Sequence, residues 1–176
     1  MKRLLGMTAV LMVLSAGTAL AGGPYIGFHG GGTGVSVSIG DTHTTLDSNQ
    51  FAWKGFGGVG LGRFIAIETG YVAFGTAKQN VGGLELEQKL WGWDTAGLVK
   101  LNLGPVDFYG RVGGIYAKAD ASSGGASVST DGFYVNYGGG IGIVIKKVEI
   151  RGEYVLYDIS DAGKPWMASA GLTLGF

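Results

Sequence analysis

The residue types that most often carry chemistry are few in this chain and poorly grouped. There are two histidines, His29 and His43, and no cysteine. The lack of Cys removes disulfide scaffolds, zinc–cysteine sites and thiol nucleophiles together. His43 has Asp41, Thr44 and Asp47 beside it, but a zinc site needs a third convergent ligand that this stretch does not offer. His29 stands among glycines, with no serine two residues on. The glycine runs 30–32 and 138–140 precede no helix whose N-terminus could hold a phosphate. No catalytic, metal or cofactor site is therefore expected. What does recur is charge at alternate positions: Glu149, Arg151 and Glu153 form one run, and Lys54, Glu68, Asp94, Lys100 and Arg111 stand singly in apolar surroundings. Such residues need an element that gathers them and gives each a partner.

Composition narrows what that element is. Glycine supplies 36 of 176 residues, well above the usual share of about 7%, and Gly costs about 1 kcal/mol relative to Ala inside a helix. The glycines have no third-residue period and Pro is scarce, which excludes collagen. Eight Tyr, eight Phe and four Trp are too many aromatics for a disordered polar chain. Lys+Arg and Asp+Glu are balanced at 13 each, so there is no basic footprint for nucleic acid. A single β-rich domain remains.

The first 21 residues read as a leader. Met1-Lys2-Arg3 precedes an apolar run from Leu4 to Leu14, and small residues end in Ala19-Leu20-Ala21. That is the order of a secretory signal peptide, and the run is too short to span a bilayer as a helix, which takes about 20 apolar residues. Cleavage after Ala21 would leave residues 22–176 as an exported domain.

That domain alternates with period two. Val135, Tyr137, Gly139, Ile141, Ile143 and Ile145 share a face, and after Lys146-Lys147 so do Val148, Ile150, Gly152, Tyr154 and Leu156. A two-residue turn keeps both apolar rows on one side of the sheet. Lys-Lys is an unusual pair for such a turn and leaves its type open. Gly104-Pro105 repeats the arithmetic, between Trp91, Trp93, Thr95, Gly97, Val99, Leu101, Leu103 and Val106, Phe108, Gly110, Val112, Gly114, Tyr116. A third tight connection near Gly62-Arg63-Phe64 joins Trp53–Leu61 to Ile65–Tyr71. A last strand runs from Trp166 to Phe176, and a first from Tyr25 to about Ser38, with a bulge expected at Gly30–Gly32. Eight antiparallel strands of about 10–11 residues result. The polar stretches 39–50, 75–85, 118–131 and 159–164 read as long loops at one end, opposite the tight turns.

Strands of that length cross a bilayer at a tilt, and long loops at one end with short turns at the other suit an outer-membrane barrel. Trp53, Trp91, Trp93, Tyr116, Phe133, Tyr157, Trp166 and Phe176 fall towards strand ends, where interfacial girdles form. The expected fold is an all-β, eight-stranded antiparallel up-and-down transmembrane β-barrel with its apolar rows outward.

On the leader, the segment Ala66-Ile67-Glu68-Thr69-Gly70-Tyr71 and the closing Leu172-Thr173-Leu174-Gly175-Phe176, the chain resembles the small outer-membrane barrels that include the OmpA transmembrane domain and the OmpX/Ail-type proteins. The likeness covers residues 22–176 and is one of pattern. It implies a monomer in the outer membrane of a Gram-negative-type bacterium, in contact with lipid and lipopolysaccharide. It also implies that Leu172, Leu174 and Phe176 form the signal read by the barrel-assembly machinery. Some eight-stranded outer-membrane barrels modify lipid A with a His and a Ser, but neither His29 nor His43 stands in a His-x-Ser element. The periplasmic domain through which OmpA-type proteins hold peptidoglycan is likewise not expected.

In such a barrel Lys54, Glu68, Asp94, Lys100, Arg111, Glu149, Arg151 and Glu153 lie on the inner face, four of each sign, and should pair across the lumen. Arg151 between Glu149 and Glu153 is the expected centre, with Arg111 beside it. Two functions are compatible with this. One is a non-catalytic structural or surface-interaction scaffold whose loops make contacts. The other is a small-solute passage resembling OmpW-type barrels, for which Leu90, Leu98 and Ile115 on the inner rows could line a pocket.

Overall fold

The period-two pattern folds as strands throughout. The computed structural model describes residues 22–39, 42–81, 84–123, 126–158 and 164–176; the expected leader, 1–21, lies outside them. The strands are β1 (Pro24–Ile39), β2 (Thr42–Gly60), β3 (Ile65–Val81), β4 (Leu84–Leu103), β5 (Val106–Ser123), β6 (Ala126–Ile145), β7 (Val148–Asp158) and β8 (Lys164–Gly175). Each pairs antiparallel with the next, and β8 pairs with β1 from Tyr25↔Gly175 to Ser36↔Lys164, closing the barrel. Closure removes both sheet edges.

The apolar rows face out. Val99, Leu101 and Leu103 on β4, Ile141, Ile143 and Ile145 on β6 and Leu172, Leu174 and Phe176 at the end of the chain are all exposed. Their inward neighbours Leu98, Asn136, Arg151 and Thr173 are buried. A one-residue phase error would exchange the two sets, so the assignment is unambiguous. From Trp91 to Leu103 the outward row of β4 covers about 30 Å along the barrel axis at a tilt near 40°, the thickness of a hydrocarbon core.

Three expectations are corrected. The strands exceed 10–11 residues: β1 to β6 have 16–20. Most of the stretches 39–50, 75–85 and 118–131 continue the ladder, as in Ser38↔His43, Asn80↔Glu85 and Ser122↔Ser127. Ser, Thr and Asn there satisfy a ladder as well as a loop would, because its bonds come from the backbone. His43 consequently stands in a strand rather than a loop; Asp41 lies outside the described residues, as does 159–163.

The second correction concerns Gly30–Gly32, which pair in regular register with Trp53, Ala52 and Phe51; the irregularity falls later, between Thr33 and Val35. Glycine at position 31 answers a close approach instead, since a Cβ there would meet the Ala168 carbonyl oxygen at 2.0 Å. The third is Tyr157, expected in a girdle but fully buried. It shares the odd-numbered row of β7 with Arg151 and Glu153, so the pleat turns it inward.

The turns are now defined by their backbone. Gly104 has φ 69° and Lys146 φ 59°, each followed by a residue with negative φ. That is the sign pattern of a type II′ turn, which prefers Gly at the first central position. Lys146 occupies that position without being Gly.

Candidate functional site

Three successive inward positions on β2 describe the whole interior. Ala52 belongs to an apolar layer towards the long hairpins, with Val72, Phe74, Ile115, Ala117, Val155, Tyr157 and Met167, and with Leu90 and Tyr134 packed against it. Phe56 belongs to a second apolar layer towards the tight turns, with Tyr25, Ala66, Ala96, Leu98 and Tyr109. Lys54 lies between them in a layer of charge. The same succession runs along β5, where Tyr109, Arg111 and Ile115 take the three layers in turn.

The charged layer contains three cations and three carboxylates. Lys54 Nζ stands 3.3 Å from Asp94 Oδ2, 3.4 Å from Glu153 Oε1 and 3.9 Å from Glu68 Oε2. Arg111 donates to Asp94 at 2.5 Å and to Glu153 at 2.8 Å. Arg151 Nη1 donates to Glu68 Oε1 at 2.6 Å. All six side chains are buried, where an unpaired ion would cost several kcal/mol. Nearer the tight turns Lys100 and Glu149 approach to 4.0 Å, and Glu149 Oε1 lies 3.7 Å from Arg151 Nε.

The eight inner charges are thus brought into one connected set, but its centre differs from expectation. Glu153 turns to Arg111 and Lys54 rather than to Arg151, and Lys54 is the cation that touches three carboxylates. The reason is geometric. Along one strand Glu149 still reaches Arg151, but Glu153 meets side chains from the facing strands β2 and β5 tip to tip across a narrow lumen.

Neutral residues outside the expected charged set complete the network. Tyr25 donates its hydroxyl to Glu68 at 3.0 Å, Tyr109 to Glu153 at 3.1 Å, and Asn136 its amide to Asp94 at 3.0 Å. The Arg151 guanidinium lies over the Tyr109 ring at 4.2 Å, and Lys54 Nζ stands 5.1 Å from the Phe56 ring centroid. Parity alone could have placed Tyr25, Tyr109 and Asn136 on inner rows; their partners could not be read from it. His29 is buried in the same region with its ring edge against Phe56, centroids 4.9 Å apart.

Outside, aromatic residues stack from strand to strand. Phe28 meets Trp53 at 5.9 Å, Trp53 meets Tyr71 at 5.5 Å, and Tyr71 meets Trp91 and Trp93 at 5.8 Å. Tyr154 and Trp166 stack at 5.9 Å between β7 and β8, next to β1.

An apolar exterior with an aromatic belt around a buried, charge-paired interior inverts the plan of a water-soluble barrel and defines a membrane-spanning β-barrel. No curated protein matches the sequence. The chain belongs to the outer membrane protein β-barrel domain family, whose model matches residues 6–176. Among solved structures, neisserial surface protein A aligns over 87% of this chain and 97% of its own, with a TM-score of 0.69 and 14% identity. Ail, the attachment invasion locus protein of Yersinia pestis, solved with the heparin analogue sucrose octasulfate, aligns over 86% and 97% with a TM-score of 0.60 and 19% identity. The N-terminal β-barrel domain of Pseudomonas aeruginosa OprF aligns over 86% and 97% with a TM-score of 0.59 and 12% identity.

Proposed function

We propose that the protein is a non-catalytic outer-membrane scaffold that holds its long hairpins at the cell surface for contact with a partner. The observation that carries this reading is the filled interior. A paired charged layer sealed between two apolar layers suits a plug better than a passage, and it makes the barrel a rigid support for whatever projects from it. In this reading residues 1–21 are the cleaved leader, the tight turns face the periplasm, and Leu172, Leu174 and Phe176 engage the assembly machinery. The backbone N–H of Phe176 bonding to the Pro24 carbonyl at 3.0 Å supports the last role, since the recognised strand is also the one that closes the barrel.

The names of neisserial surface protein A and of Ail favour surface contact, but the polyanion bound to Ail suits this chain poorly. The hairpin-end stretches 35–50, 76–91, 117–134 and 158–164 hold eight acidic and four basic residues. The partner we infer is a neutral or cationic surface. Because the chain has no cysteine, its orientation can be read by single substitutions. Ser123→Cys should react with a membrane-impermeant maleimide on intact cells, and Lys147→Cys only after the outer membrane is opened. The reverse pattern would put the hairpins in the periplasm and end the surface-contact reading.

A further inference from the structure

The mouth at the tight-turn end holds a cavity of about 440 Å3, within the size range of small-molecule sites. Four cationic residues line it, Arg63, Lys100, Lys146 and Lys147, against two carboxylates, Asp107 and Glu149. Asp107 is already engaged by the Asn102 amide at 2.7 Å. Lys100 is held loosely: among the described residues its ion-pair partner is Glu149 at 4.0 Å, beyond hydrogen-bond reach, and its ammonium stands 5.2 Å from the centre of the Tyr25 ring. Two buried oxygens complete the picture. Thr173 is 3% exposed and lines the cavity, yet its hydroxyl makes no hydrogen bond among the described residues. Glu149 Oε1 accepts no hydrogen bond either, its cation Arg151 Nε standing 3.7 Å away. A buried hydroxyl without a partner carries a desolvation penalty, and Thr173 lies beside a surplus of positive charge.

We propose that this vestibule is a binding site for a small polyhydroxylated anion, a phosphate or carboxylate group on a body the size of one sugar. Lys100, backed by Arg63, Lys146 and Lys147 at the rim, takes the anionic group. Thr173 exchanges a hydrogen bond with a ligand hydroxyl, and Glu149 accepts one. The layered interior above makes the site a dead end, so the ligand enters and leaves by the tight-turn mouth. The site is a property of the barrel in either orientation and so does not depend on the surface-contact reading.

Calorimetry on the folded barrel in zwitterionic micelles tests this, with glucose 6-phosphate and gluconate as the two anionic probes and glucose and inorganic phosphate as partial ones. Saturable binding is expected for at least one anionic probe, and whichever binds tells phosphate from carboxylate recognition. Both partial probes should bind at least about tenfold more weakly, since each lacks one set of contacts. Lys100→Gln should weaken binding about tenfold or more and Thr173→Val about threefold, whereas Lys118→Gln at the other end changes nothing. Heat-modifiable gel mobility verifies that each variant is folded. Should Lys100→Gln fail to fold, perturbation of the wild-type Thr173 amide and methyl resonances by the probe is the deciding measurement. Absence of saturable binding overturns the proposal. Equal binding of inorganic phosphate overturns it too, as does an affinity that follows Lys146→Gln and Lys147→Gln while ignoring Lys100 and Thr173, since that would be diffuse surface attraction.

Discussion

Lys54→Met is the sharpest test of the charged layer. The substitution keeps most of the side chain's volume and its packing on Phe56, but removes the cation that stands within 4 Å of Asp94, Glu153 and Glu68. Arg111 and Arg151 remain to serve three carboxylates, so the sealed layer changes from neutral to a net charge of about −1. Breaking a buried pair by deleting one partner costs about 3–5 kcal/mol, and the middle of that range is appropriate because Glu153 keeps Arg111 at 2.8 Å and Tyr109 at 3.1 Å. Glu153→Gln alone should cost a similar amount by stranding a cation. The double variant restores neutrality and should cost about 2–3 kcal/mol less than the sum of the two single costs. Urea unfolding in phospholipid vesicles gives these energies through the emission of Trp53, Trp91, Trp93 and Trp166, all on outward rows. A Lys54→Met cost below about 1 kcal/mol, or strict additivity in the double variant, would refute the view of these charges as one neutral unit.

Other expectations can be checked by the same titration. Ile143→Arg, on the outward row of β6, should cost about 2–4 kcal/mol by placing a charge in lipid; a neutral result would mean that position 143 is not in contact with hydrocarbon. Tyr157→Phe removes a buried hydroxyl that makes no hydrogen bond among the described residues. It should be neutral or stabilising by about 1 kcal/mol, and a clear loss would reveal a partner for that hydroxyl. Lys146→Gly relieves a left-handed non-glycine residue in its turn and should stabilise by about 1 kcal/mol, whereas a destabilised variant would show that the lysine side chain holds the turn.

The fold was legible because lipid imposes a strict rule: with period two and one apolar face, the parity of each strand follows from its Leu, Ile, Val and Trp positions. Ile145 and Val148 fix both flanking strands at once, and the same logic put all eight charges inside. Strand length was not legible, because Thr42–Thr45 or Ser127–Thr130 read equally as loop or solvated ladder when only composition is considered. The wiring of the charged layer was not legible either. Which carboxylate Arg151 meets depends on how facing strands converge across the lumen, and Glu68 is 83 residues away in the chain. Tyr157 shows the converse, a case where parity held the answer and aromatic composition pointed the other way.

The central claim is that the interior is a plug, and conductance tests it most directly. Refolded protein, shown to be a barrel by its heat-shifted mobility, is inserted into a planar bilayer and recorded at single-channel resolution. The layered interior predicts insertion without reproducible current steps, and Lys54→Met or Glu153→Gln should be more leaky than the wild type. Regular steps from the wild-type barrel would contradict the account, and would make Arg111 and Arg151 the first residues to examine as the walls of a passage.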